Sequence, residues 1–260
     1  MHRFRKHRRG LVLLLVSLVP AAQPVQSQPS APAPVWSVPS AENLHYNIEW
    51  RLITAGKGHL SWSANQSEGF QTNLLLESAG LVSKLFKVND EYTSSLSRNL
   101  CAHSSFLKTN EGSRHRETRI TFDAERKKAS YLERDLVKNA VLTSAEIDVP
   151  PCVSDIVGAL YKMRSLNLEP GQASQIAVSD GRKSALARVE AQRREQIKTP
   201  AGTFQTMRWE AFLFNNVIYR RSGRVYVWLT DDSRRLPVQI QVRLQVHIGT
   251  ITLQLEKEGT

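Results

Sequence analysis

The sequence predicts a mainly β protein, an antiparallel meander curled into an open or closed barrel, with one clear α-helix at about 153–166. Three observations carry this expectation. Apolar residues recur at every second position through most of the chain, the period of a strand with one buried face. Turns containing Gly, Pro or Asn punctuate that pattern at short intervals. Helical spacing is strong only once, which argues against repeated strand–helix–strand units and for antiparallel pairing.

The 260-residue chain opens with MHRFRKHRRG, five Lys or Arg and no acid, followed by the apolar run LVLLLVSLVP. That is the pattern of a signal peptide over residues 1–21. The run falls short of the roughly 20 apolar residues that span a bilayer, so no transmembrane span is expected after cleavage. Residues 22–42, AQPVQSQPSAPAPVWSVPSAE, read as an extended Pro-rich spacer, because such a composition cannot bury enough apolar surface to fold. Residues 43–260 then form a single β-rich domain. Export is expected to carry the protein out of the cytoplasm. The formal charge of +11 comes from 35 Lys+Arg against 24 Asp+Glu; without the five basic residues of the leader it is 30 against 24, or +6. This balance favours an anionic envelope surface as a partner, and the compartment argues against nucleic acid.

In LHYNIEWRL, Leu44, Tyr46, Ile48, Trp50 and Leu52 share one face. TAGKGH is expected to turn the chain and LSWSA to return it, with Leu60 and Trp62 on the apolar side of a hairpin. Further strands are expected at 70–79, 88–97, 103–109, 114–123, 128–134 and 140–149, and GLVSKLF (80–86) could form a short helix. CVSDIVGALYKMRSL places Val153, Ile156, Leu160 and Met163 at helical spacing, with Ser154 and Asp155 suited to the first turn. Strands resume after Gly171 and turn at Asp180-Gly181, at TPAGTF and at Asn215-Asn216. QTMRWEAFLF is expected to put Phe204, Phe212 and Phe214 on one face and Trp209 and Leu213 on the other. VYVWLT and LPVQIQVRLQV follow as neighbouring strands joined by DDSRR, where Asp231 and Asp232 are expected to pair locally with Arg234 and Arg235. At Gly249 the alternation slips phase before Ile251, Leu253 and Leu255.

Cys101 and Cys152, in an oxidising compartment, read as a structural disulfide. Nucleophile-elbow, zinc-protease, P-loop and dinucleotide signatures are absent, and neither a metal site nor a cofactor is expected. His45 and His59 could meet across the first hairpin, on its polar face. The charge run at 111–119, EGSRHRETR, reads as a solvated strand face, with a phosphate or headgroup grip as the alternative. The aromatic residues are more informative. A strand apolar on both faces is covered twice or looks into a cavity, which makes Trp50, Trp62, Phe212, Phe214 and Trp228 candidate lining for a lipid-like ligand.

Taken in order, YNIEW with AGKGHL, SAGLVSKLFKVNDEY, CVSDIVGALYKMR, VSDGRK, TPAGTF, VWLTDDSRRLPV and GTITLQLE resemble a bacterial exported family catalogued as domain of unknown function 3108. Cys101 and Cys152 resemble the cysteines of a subset of that family. The resemblance implies an antiparallel β architecture and no established activity. A looser likeness, of architecture only, is to periplasmic lipoprotein carriers. The functional expectation is a non-enzymatic envelope protein that binds an apolar or amphipathic ligand in a curled sheet or acts as an assembly scaffold. The alternative is a hydrolase of envelope polymers that uses a carboxylate pair drawn from Asp90, Glu91, Asp123, Asp155, Asp231 and Asp232.

Overall fold

The structure, a computed structural model, describes residues 35–65, 69–245 and 249–259. The expected signal peptide, residues 22–34 of the spacer, and His247 lie outside the described residues. The order is β1 (Ala41–Trp50), β2 (Ile53–Asn65), β3 (Gly69–Ser78), α1 (Gly80–Leu85), β4 (Asn89–Ser97), β5 (Ala102–Glu111), β6 (Arg114–Asp123), β7 (Lys128–Asp135) and β8 (Ala140–Asp148). Then come α2 (Ile156–Arg164), β9 (Ala173–Ser179), β10 (Ser184–Thr199), β11 (Gly202–Ala211), β12 (Gly223–Thr230), β13 (Pro237–Leu244) and β14 (Thr250–Glu258).

The strands form one 14-stranded antiparallel sheet in the order β8-β7-β6-β5-β4-β3-β2-β1-β14-β13-β12-β11-β10-β9. β1 lies inside it, one meander runs out to β8, and the chain returns through α2 to the opposite edge. A sheet this wide must coil as its twist accumulates, and this one curls without closing. The edge strand β9 pairs in parallel with Ser154. Ser154 N donates to Ala177 O and Ala102 N donates to Val153 O, so the segment leading into α2 stitches β9 to the start of β5 and shields an otherwise open edge. The Cys101–Cys152 disulfide, with Cα atoms 4.8 Å apart, fastens the same junction.

The expected spacer runs too far. Trp36 is buried, Trp62 Nε1 donates to Pro39 O, and β1 already begins at Ala41, so an aromatic anchor brings the end of a Pro-rich segment into the domain. The first turn also sits elsewhere than expected. Arg51 and Leu52 make it, with φ of 49° and 69°, while Ala55–His59 runs inside β2. Gly56 has a different use there, because a Cβ on it would collide with Glu77 O of β3.

Candidate functional site: an apolar cavity between the helix and the sheet

α2 is buried on two stripes. Val157, Tyr161 and Arg164, spaced i, i+4, i+7, are buried on one side. Ile156, Ala159, Leu160 and Met163 face a cavity of about 410 Å³ on the other, and Val157, at the margin between the stripes, also touches it. The facing wall is the inner side of the sheet: Ile176 and Val178 of β9, Ala187 and Val189 of β10, Ala211 of β11, Val225 and Val227 of β12, Ile240 and Val242 of β13, and Leu253 of β14. Tyr46, Leu60 and Leu74 extend that wall into β1–β3, and Leu213, Phe214 and Tyr219 close it from the 212–222 loop. Strict alternation is what aims this set inward. Alanine at 159, 187 and 211, opposite branched residues, leaves the volume.

The walls carry two hydroxyls. Tyr46 donates its proton to Pro237 O at 2.7 Å, so little of its bonding capacity remains. Burial, and secondarily the charge of Asp180, pushes the Tyr219 phenol up to about 12, which keeps it neutral. Water in the cavity would find few partners, since each buried water needs two to four polar partners and ~410 Å³ would hold roughly 14 at liquid density. An apolar chain meets none of that penalty. The volume lies within the range of about 300–1,000 Å³ usual for small-molecule sites.

Both ends of α2 are clamped, which fixes the cavity's second wall. At the N-terminus Asp155, wholly buried, accepts from Gly158 N, from Ser94 Oγ of β4 and from Ser105 Oγ of β5, with the Tyr92 hydroxyl as a further partner. Burial raises this carboxyl above its ordinary range, and its donors oppose the rise. At the C-terminus Arg164 makes two bonds of 2.7 and 2.8 Å to the Glu42 carboxylate and one of 3.0 Å to Arg234 O. Its guanidinium also lies 5.4 Å from the Trp36 ring and 5.0 Å from the Tyr161 ring. Arg235 donates to Arg164 O and Leu166 O and to Asn167 Oδ1, satisfying carbonyls that a helix end leaves without partners. Desolvation lowers the Arg235 pKa.

DDSRR is therefore a turn, as expected, but its charges do not pair locally. Asp232 accepts from Thr230 Oγ1 and from the amides of Arg234 and Arg235, Asp231 bonds Arg194, and Arg234 bonds Glu258. Backbone amides of a tight turn are nearer partners for an aspartate than flexible guanidiniums two or three residues on.

Of the five aromatic lining candidates, Phe214 lines the cavity, and the others lie elsewhere. Trp62 stacks between Phe70 and Tyr161. Trp228 donates its Nε1 proton to Glu195 Oε1 at 2.8 Å, Arg188 lies 5.5 Å from the Phe212 ring, and Trp50 sits beside Arg51 at the β1–β2 turn. The parity assigned to Phe212 and Phe214 fails because β11 ends at Ala211. β12 is buried on both faces, as two-faced apolar strands require. Val225 and Val227 look into the cavity, while Tyr226 and Trp228 belong to a second buried cluster, against which Ile197 and Phe204 pack. The β10–β11 hairpin supplies that cover. Its strands slip register between Ala191 and Arg193, and Ala201 N at its tip reaches Leu255 O of β14.

The carboxylates weighed for hydrolysis have structural tasks. Asp90 accepts from Asn110 N, Glu91 from Asn73 and Asp123 from Arg126 N. The groove shared by Asp231 and Asp232 measures about 20 Å³, room for one water rather than a sugar ring. His45 and His59 do meet, stacked with centroids 4.4 Å apart. Among the described residues no group of three or more His, Cys, Asp or Glu is arranged to hold a metal ion. The 111–119 run forms ion pairs within itself, Arg114–Glu111 and Arg119–Glu117, and one with β7, Arg116–Glu133.

Residues 45–256 match the family described as protein of unknown function (DUF3108), and the chain belongs to it. Among curated proteins, none matches its sequence. Among solved structures, it resembles a β-barrel-like protein of the DUF1849 domain family from Brucella abortus, with a TM-score of 0.57 at 8% identity over 84% of this chain and 97% of that one. At 8% identity the likeness is one of fold alone. A protein with a YmcC-like fold from Bacteroides fragilis superposes with a TM-score of 0.36 at 10% identity, over 88% of this chain and 100% of that one.

Proposed function

We propose that this member of the DUF3108 family is a non-enzymatic, exported protein of the bacterial cell envelope that takes the apolar part of a lipid or other amphiphile into the cavity between α2 and the curled sheet. One observation carries the reading: a space of about 410 Å³ whose walls are aliphatic and aromatic apart from two tyrosine hydroxyls. Such a lining gives affinity through apolar area removed from water, about 25 cal/mol per Å², and offers little that would select one headgroup. Loop 212–222, which carries Phe214, Tyr219, Arg220 and Arg221, is the natural place for the polar end of an amphiphile. The export-type leader, the cysteine pair and the modest positive charge all suit an envelope setting.

The test is to purify the protein from its native envelope without detergent exchange, extract it with organic solvent and identify the extract by mass spectrometry. A single lipid-like class at near-stoichiometric yield is the expected result. Protein that yields no apolar molecule, and binds none when one is added, would overturn the reading.

A further inference from the structure

We propose that the end of the sheet carrying the β1–β2, β5–β6 and β7–β8 turns and α1 docks on the surface of an anionic lipid bilayer. Twelve large apolar side chains are exposed among the described residues, and nine of them lie within 52–53, 81–86 and 136–142. Leu52 is 93% exposed, Leu85 78%, Val137 68% and Leu81 63%. These segments are far apart in sequence, but the register sets them side by side. Gly56 of β2 pairs with Ser78 at the end of β3, Gly112 N donates to Lys87 O, and Leu136 N donates to His115 O. They form one rim at one end of the domain.

The rim is basic as well as apolar. Arg51, Lys84, Lys87, Arg114 and Lys138 are exposed there. Of the nearby acids, Glu111 pairs with Arg114 and Asp135 is spent on the amides of Val137 and Lys138, while Glu77 at the end of β3 is exposed, which leaves the cations in excess. Arg220 and Arg221 stand at the same end, since Gly223 pairs with Leu244 and Thr250 O accepts from Arg51 N. Exposed apolar tips ringed by cations suit an interface where acyl chains lie beneath anionic headgroups, and water alone gives such a patch no advantage. Trp50, beside the first tip, is the one tryptophan of five that is not buried, and the membrane–water boundary is where indole rings settle. Loop 212–222 walls the cavity at this same end, yet the docking does not depend on what the cavity holds.

The experiment is co-sedimentation of the full chain with vesicles of phosphatidylethanolamine and phosphatidylglycerol, with phosphatidylcholine vesicles alongside. Wild type is expected to bind the anionic vesicles, more weakly as salt rises, with its tryptophan emission quenched by brominated acyl chains. Replacing Lys84 and Lys87 by Gln should weaken partitioning about fivefold per charge, and the triple variant L52S/L85S/V137S by at least about tenfold. All these side chains are exposed, so the unfolding midpoint serves as the control for folding. Two results would overturn the proposal. One is equal binding by the triple variant, which would assign binding to another part of the chain. The other is no vesicle binding with self-association that the triple variant abolishes, which would make the rim a protein interface.

Discussion

Glu42→Gln removes half of a buried ion pair that fixes the C-terminal end of α2. The side chains of Arg164 and Glu42 are 1% and 8% exposed, so solvent screening takes little from the interaction. The substitution keeps one amide oxygen as an acceptor but removes the negative charge, so the guanidinium stays buried among neutral partners: that oxygen, Arg234 O, and the faces of Trp36 and Tyr161. Breaking one side of such a pair costs about 3–5 kcal/mol. The two ring faces retain some stabilisation, about 1–2 kcal/mol for a desolvated cation, so the expected loss is about 2–3 kcal/mol. For a domain of this size that lowers the melting temperature by roughly 5–10 °C. Adding Arg164→Met removes the stranded charge and leaves a thioether against the rings, and the double variant should recover to within about 1 kcal/mol of wild type. Urea unfolding of the four proteins of the cycle measures the coupling. A single-variant cost below about 1 kcal/mol, or a double variant no better than the single, would refute the claim that this pair clamps the helix.

Three further outcomes follow. Because folding raises the Asp155 carboxyl above its ordinary 3.8, the native state binds that proton more tightly, and the group's contribution is complete below 3.8 and lost as pH rises through the folded value. Wild type should therefore gain stability relative to Asp155→Asn as pH is lowered from about 7 to about 4, and a flat or opposite trend in paired urea midpoints would contradict this. Cys101→Ser with Cys152→Ser opens a loop spanning 51 positions and should cost about 4 kcal/mol in the chain-entropy picture, read as a lower unfolding midpoint that reductant does not lower further. Arg235→Met strips Arg164 O, at the end of α2, and Leu166 O, just beyond it, of their donor and should cost about 1–3 kcal/mol, with a matching loss of affinity for an apolar probe.

Most of the strands were legible in the sequence because alternation reports a half-buried strand directly, and the Asp180-Gly181 and Asn215-Asn216 turns supply positive φ where those dipeptides predict it. The β1–β2 turn was not legible, since Arg51 and Leu52 adopt the left-handed region while nearby Gly56 serves close backbone approach within β2. A preference for Gly in turns points to the wrong residues there. The candidate site was legible only as a kind of place. Two-faced apolar strands implied a cavity or a second cover, and β12 has one on each side. Aromatic size then pointed to Trp62 and Trp228, large rings that fill space, whereas the volume arises where inward positions hold alanine. Arg164 was not among the site residues expected from the sequence. The i, i+4, i+7 stripe it shares with Val157 and Tyr161 was the available signal that it turns inward.

The central claim is that the cavity between α2 and the sheet is a binding site for an apolar chain, and filling it tests that claim most directly. Ala187, fully buried on β10, faces the cavity, and Ala187→Phe places a ring in the space a ligand would use. The measurement is the binding isotherm of a fluorescent fatty acid to wild type and variant, with unfolding midpoints alongside. The account predicts one site in wild type and affinity at least about tenfold weaker in the variant, a difference of ~1.4 kcal/mol, with the variant's stability equal or higher. Equal affinity in the two folded proteins would contradict it.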